Sequence, residues 1–167
     1  INLFRLYILI MKKLTCLFIG RFQPLHKGHV NAIRELFKKY DKIVIAIGST
    51  NKKNAENPFS FQERKSMLNA SLRKYKRPYR IIGVSDVKSD VKWKGHLIKK
   101  GNISKSAAIV TCNTWTAKCF SGYKIIKPKI LNAKKYNGTR IRKMIKENKS
   151  WKSLVPKQIV PIIKKHG

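Results

Sequence analysis

At 167 residues, 43% hydrophobic and 10% aromatic, the chain can bury one core, is too short for two ordinary domains, and is too apolar for a disordered tail. It carries 39 Lys and Arg against 7 Asp and Glu, a formal net charge of +32, which attracts any polyanion, whether nucleic acid, anionic lipid or free nucleotide. The lysines run evenly from Lys12 to Lys165 without a single block, so two readings stand side by side: a nucleic-acid footprint, or a compositional bias whose lysines are solvated exterior.

In chain order, INLFRLYILI (1–10) is apolar but far below the ~20 residues of a membrane span, and it lacks the small-residue cleavage site of a signal peptide. MKKLTCLFIG reads like a natural beginning at Met11. Residues 1–10 are therefore expected to be a leader or non-native extension, and 11–167 one domain. LTCLFI (14–19) is a continuous apolar run, as in a strand buried on both faces of a parallel sheet. HVNAIRELFKKY places Val30, Ile33 and Phe37 on one helical face. KIVIAIGS (42–49) is a second buried strand. After the polar loop TNKKNAENP, Ser60 and Glu63 have capping-box spacing at the start of a second helix.

YRIIGVSD (79–86) predicts a third strand, SDVKWKGHLIKK a loop entering a helix, and SAAIVTC a fourth strand. WTAKCFSG predicts a short helix, YKIIKP a fifth strand, and GTRIRKMIKEN another helix with Thr139 near its start. WKSLVPKQIVPIIKKHG is expected to close the chain as a helix that Pro161 kinks or shortens. Strands alternating with helices predict an α/β, Rossmann-like open parallel sheet of about five strands with helices on both faces. Cys16, Cys112 and Cys119 show no metal spacing and are odd in number, which fits a reduced, cytoplasmic compartment.

The chemistry concentrates in GRFQPLHKGH, residues 20–29, directly behind the first strand. Ligands of open parallel sheets bind outside the carboxyl ends of the strands, where a helix N-terminus welcomes an anion. Gly20 lets backbone approach a ligand closely, and Gly28 lets the helix start tightly. His26 and His29, three apart, reach the same side of the turn. No third ligand or carboxylate lies beside them, so phosphate contact is expected rather than a metal site.

GRFQPLHKGH resembles the His-x-Gly-His signature of the nucleotidylyltransferase superfamily, and its longer form resembles archaeal-type nicotinamide mononucleotide (NMN) adenylyltransferases. IGS (47–49), NPFSFQER (57–64), DVKSDVKW (86–93) and YNGTRIR (136–142) agree with that family in order and spacing, as does SLVPKQIV near the end. The resemblance implies transfer of the adenylyl group of ATP to NMN, with Mg²⁺ held mainly by the ATP phosphates, giving NAD and pyrophosphate. The NMN phosphate would attack the α-phosphorus directly. A phosphate is ionised at neutral pH and needs no general base, which suits a sequence offering arginines, histidines and amide donors at this site.

By the same resemblance His26, His29 and Arg142 are the catalytic set. Gly20, Arg21, Gly28, Asn113, Asn137 and Thr139 lie on the ATP side, with Thr139 donating a hydrogen bond. Gly48, Ser49, Asp86, Asp90 and Trp93 lie on the NMN side, with Trp93 stacking on nicotinamide and one acid accepting from its carboxamide. Without the resemblance, Arg140 and Arg142 read as a solvated helix face and Asp90 as a cap or turn residue.

Three departures touch this set. Asn137 stands where the family has serine. Glu56 replaces a basic residue before Asn-Pro, with Lys52 or Lys53 available to supply the charge. Cys112 occupies a glycine position before Asn113. A closed homo-oligomer is implied, with apolar residues of 151–163 exposed for it. Two alternatives remain open: another phosphorylated acceptor (pantetheine, flavin or polyol phosphate), or a basic nucleic-acid-binding protein on this fold.

Overall fold

The computed structural model describes residues 14–166; the expected leader lies outside them. Five strands form one sheet: β1 (Thr15–Gly20), β2 (Lys42–Ile47), β3 (Tyr79–Gly83), β4 (Ala108–Val110) and β5 (Lys124–Ile126). Their order is β3-β2-β1-β4-β5 and every pair is parallel. β1 is central because its four middle residues, Cys16 to Ile19, are apolar on both sides and all buried. Cys16 and Phe18 face one core, Leu17 and Ile19 the other.

The first core packs α1 (Lys27–Phe37), α2 (Phe61–Leu72), α5 (Gly138–Lys146) and the C-terminal segment against the sheet through Ile33, Met67, Leu68 and Ile141. The second packs α3 (Asp90–Gly101) and α4 (Thr114–Cys119), with Trp93, Leu97 and Phe120 at its centre. Helices therefore cover both faces, as the alternating pattern predicts. The predicted capping box opens α2: the Glu63 N–H donates to Ser60 Oγ at 3.2 Å, and the Ser60 N–H donates to Glu63 Oε2 at 2.8 Å. Among the described residues no helix is long and apolar enough to cross a membrane.

Two expectations are corrected at the end of the chain. The closing helix is broken into two 3₁₀ turns, Lys152–Leu154 and Lys157–Ile159, before a short α6 (Val160–Lys164). Pro156 and Pro161 are the reason: proline donates no hydrogen bond and is accommodated only in a helix's first turn, where Pro161 sits. The apolar residues expected on the surface, Trp151, Leu154, Val155, Ile159 and Ile163, are buried in the first core. They close that core over α2.

β2 pairs to one side of β1 and β4 to the other, so the chain reverses its winding direction at β1. The crevice of such a sheet opens at the carboxyl ends of β1 and β4. The β1–β2 register aligns Gly20 with Ile47, and the Gly48 N–H donates to the Gly20 carbonyl at 3.0 Å, so the loops leaving both strands share one rim.

Candidate active site

A crevice of about 270 Å³ opens at that reversal, walled by Gly20, Arg21 and His29 on one side and by Trp93 and Trp115 on the other. Gly48, Ser49, Asp86, Cys112 and Asn113 complete its rim. The volume falls just below the usual range for a ligand site, roughly 300–1,000 Å³, so a large ligand extends over the mouth. A side chain at Gly48 would point into open space, its nearest neighbour the Gly20 carbonyl at 3.9 Å; the missing side chain keeps that side of the crevice open.

The two histidines form an unusual capping box. His26 caps α1 and its Nδ1 accepts from the His29 N–H at 3.2 Å. His29 Nδ1 accepts in turn from the His26 N–H at 3.4 Å. The rings stack with centroids 3.6 Å apart. An Nδ1 that accepts carries no proton, so in both neutral rings the proton is on Nε2, which is left as a donor. Burial pushes the His26 imidazole down to about 4; burial, and then the neighbouring His26, push His29 well below the ordinary histidine range. Both rings are neutral at pH 7. The helix start thus offers two imidazole N–H groups beside the positive end of the α1 dipole, suited to a polyphosphate.

This arrangement carries a pH signature. Between the unfolded histidine value near 6.5 and about 4, the unfolded chain takes up protons that the native one refuses, so stability is lost as pH falls. His26 alone contributes a loss of about 3 kcal/mol, complete below pH 4. Urea unfolding of the ligand-free protein is expected to show a falling midpoint from pH 6.5 to 5, before the carboxylates titrate. A flat midpoint would contradict the neutral capping box.

A second helix N-terminus converges on the same loop. Gly138 begins α5 so close to the Gln23 carbonyl that a β-carbon would sit 3.0 Å from it. Arg142 Nη1 donates to that carbonyl at 2.7 Å and Nη2 to Thr139 Oγ1 at 3.2 Å. Asn137, in the serine position, caps α5 by accepting from the Arg140 N–H at 3.2 Å. Its side chain therefore serves the helix.

Gly28 stands behind the crevice, where a β-carbon would meet Ile130 at 2.7 Å and Tyr136 at 3.0 Å; it sets how closely α1 approaches the 130–136 loop. Asn113 caps α4 through the Thr116 N–H at 2.9 Å. Ser49 Oγ donates to Asp86 Oδ1 at 3.1 Å, and Lys52 lies 2.9 Å from Asp86 Oδ2. Lys52 is thereby committed to Asp86, and Lys53 is hydrogen bonded to the Pro58 carbonyl. Glu56 lies 3.9 Å from Arg21, with both side chains exposed. Asp90 does not line the crevice; it accepts from Trp115 Nε1 at 3.3 Å and so orients the indole on the rim.

Three contributors had no role assigned from the sequence, although Gln23 and Arg64 lie within the motifs GRFQPLHKGH and NPFSFQER. The Gln23 amide is buried and pairs with the Phe59 backbone in both directions, at 2.8 and 3.0 Å, locking the first loop to the start of α2. Trp115, 4.7 Å from Trp93 between ring centroids, adds a second indole to the apolar wall. Arg64 is wholly buried. Its guanidinium donates to the carbonyls of Arg21 and Gly48, each at 2.8 Å, and to Ser49 at 3.5 Å. Those carbonyls flank Phe22 and Ser49, two non-glycine residues with φ of 52° and 51°. Left-handed backbone of this kind costs on the order of 1–3 kcal/mol per residue unless neighbours enforce it, and Arg64 enforces both. Burial, and then Arg21, pull its pKa down to about 10, which leaves it charged at neutral pH.

Comparison with known proteins places the chain in a family. Residues 17–165 match the cytidylyltransferase-like family model. A nicotinamide-nucleotide adenylyltransferase from Methanococcus aeolicus is 35% identical over 153 residues, covering 90% of this chain and 88% of the relative. One from Pyrococcus abyssi is 31% identical, with coverage of 89% and 81%. Among solved structures, a bifunctional NMN adenylyltransferase/ADP ribose pyrophosphatase from Francisella tularensis superposes with a TM-score of 0.75 at 29% identity. That match covers 86% of this chain and 45% of the Francisella one, so the chain spans just under half of that protein. With the crevice at the β1/β4 reversal and the histidine capping box at its rim, the chain belongs to the cytidylyltransferase-like family, among the nicotinamide-nucleotide adenylyltransferases.

Proposed function

We infer that the chain joins NMN to ATP, forming NAD and releasing pyrophosphate, by direct attack of the NMN phosphate on the ATP α-phosphorus. The observation that carries this reading is the two-sided crevice: Gly20, Arg21 and His29, with His26 stacked on His29, on one side, and an aromatic wall with a polar rim on the other. The triphosphate lies over the mouth against His26, His29 and the N-terminus of α1. Arg142 adds its remaining N–H groups, two of a guanidinium's five donors being spent on Gln23 and Thr139. NMN lies along Gly48 and Ser49 with its pyridinium against Trp93.

No residue need take a proton from an ionised phosphate. The protein's work is to align the two nucleotides and to meet the charge growing on the departing pyrophosphate with fixed donors in a partly dry site. Among the described residues no group of three or more His, Cys, Asp or Glu is arranged to hold a metal ion, and Asp86, the carboxylate on the crevice rim, is engaged by Ser49 and Lys52. The divalent ion, which we take to be Mg²⁺, therefore belongs to the substrate as MgATP. A related structure from Francisella tularensis was determined with AMP and a Mn ion. Use of ATP together with three free cysteines supports a cytoplasmic location.

Trp93→Leu keeps the apolar filling and removes the π face. It is expected to raise KM for NMN about tenfold, the loss of a cation–π contact of up to about 2 kcal/mol, and to leave KM for ATP within about threefold. Steady-state kinetics with each substrate varied check this; equal changes in both constants would remove Trp93 from the NMN side. The assignment itself is tested by supplying MgATP with NMN, its acid analogue, phosphopantetheine or flavin mononucleotide in turn. NAD and pyrophosphate formed with NMN support it. Pyrophosphate released only with another acceptor overturns the substrate and keeps the reaction type.

A further inference from the structure

A second concavity of about 690 Å³ lies outside the crevice, between α1, the C-terminal end of α2, the 131–136 loop and residues 152–158. It shares no lining residue with the crevice. We propose that this groove binds single-stranded nucleic acid, a function separate from adenylyl transfer.

Four lysines from three segments line it, Lys27, Lys74, Lys152 and Lys157, and none of them makes an ion pair among the described residues. Arg34 also lines it but is partly neutralised by Glu35 at 3.3 Å. No carboxylate lines the groove. The charge is interleaved with aromatic surface: Tyr75 and Tyr136 are half-buried in the wall, each with a lysine ammonium over its ring, Lys74 at 5.1 Å and Lys135 at 5.5 Å. A cation parked on a ring marks a face that a base can take by stacking. Cations that track a backbone beside aromatic faces that receive bases are the two parts of a single-strand site.

Ser71 gives an independent pointer. It is 1% exposed, lines the groove, and its hydroxyl has no hydrogen-bond partner among the described residues. A buried unpaired hydroxyl is costly, and a phosphate or base edge in the groove would satisfy it. Lysines spread over three segments of an open groove suit phosphates spaced along a strand better than the contiguous phosphates of one nucleotide. Adenylyl transfer as read above gives Ser71, Lys74, Tyr75, Lys152 and Lys157 no role, and the occupant also accounts for part of the +32 charge.

The test is fluorescence anisotropy of a labelled decauridylate with the full chain. Engagement of three or four phosphates gives a slope of log K against log salt of about −2 to −3, roughly thirtyfold weaker binding at 200 mM than at 50 mM salt. Lys74→Glu with Lys157→Glu is expected to weaken binding at least tenfold, with adenylyl transfer unchanged; should that protein not fold, the double glutamine variant replaces it. Lys99→Glu with Lys118→Glu makes the same charge change on the other helix layer and is expected to leave binding within about threefold. Tyr75→Leu is expected to lower affinity about fivefold or more without altering the slope, as loss of one stacked base requires. Equal losses in both double variants would overturn the proposal in favour of diffuse surface charge. Displacement of the oligonucleotide by ATP or NAD at crevice-saturating concentrations, or equally tight binding of a duplex, would overturn it as well.

Discussion

His29→Ala is expected to lower kcat by two to three orders of magnitude. Removing one donor aimed at developing charge in a preorganised site costs about 3–4 kcal/mol in the transition state. His29 holds its donor rigidly: Nδ1 is fixed by the His26 N–H, and the ring is clamped between His26 at 3.6 Å and Phe22 at 4.9 Å between centroids. The same substitution removes half of the α1 cap, a stability loss of about 0.5–2 kcal/mol. His29→Gln separates the two effects. Glutamine three residues after a cap can still accept from the cap N–H, so this variant is expected to unfold near the native midpoint yet remain at least about a hundredfold slow. A His29→Gln enzyme with near-native turnover would take His29 out of the reaction.

Arg64 is expected to give the largest combined effect, although it touches no substrate. Arg64→Met leaves the buried Gly48 carbonyl unpaired, at a cost of about 1–3 kcal/mol, and the part-buried Arg21 carbonyl unpaired at a smaller one. The left-handed turns at Phe22 and Ser49 also lose what holds them. The total, about 3–5 kcal/mol, is a large share of the 5–15 kcal/mol that holds an ordinary domain. Arg21 borders the proposed triphosphate side and Gly48 the proposed NMN side, so relaxation of the two turns is expected to raise both KM values together. Arg64→Lys tests the fork itself. A single ammonium cannot span both carbonyls as a planar guanidinium does, so this protein is expected to fold with intermediate stability and show the same paired rise in KM. Native kinetics in Arg64→Lys would reduce the residue to a general core contact.

The contrast between these two residues shows what the sequence makes legible. His26 and His29 stand out because histidine is an uncommon choice at a helix start, where Ser, Thr, Asp and Asn are preferred, and the three-residue spacing already puts both there. The strands were equally plain, since runs such as LFI and VIAI admit no polar face and require a layer on each side. Arg64 closes the motif NPFSFQER, but the motif gives it no role. It lies in FQERKSMLNASL beside Lys65, and nothing local tells which of two adjacent cations turns inward; only the meeting of the β1 and β2 loops over α2 decides it. Asp90 fails in the opposite direction. A scarce acid near Trp93 looks like a ligand, yet its partner is Trp115, twenty-five residues on, and the contact exists only because α3 and α4 pack together. The closing segment misleads because Val155, Ile159 and Ile163 mimic helical spacing, while two prolines forbid one continuous hydrogen-bond ladder.

The central claim is that the crevice transfers an adenylyl group from ATP to a bound NMN phosphate in one step. Exchange of labelled pyrophosphate into ATP, followed with and without NMN, tests it most directly. The predicted result is exchange that depends on NMN and disappears in its absence, because no enzyme-bound adenylyl group exists to be returned to pyrophosphate. Exchange at the turnover rate without NMN would contradict the account, for it would require the protein itself to carry the adenylyl group.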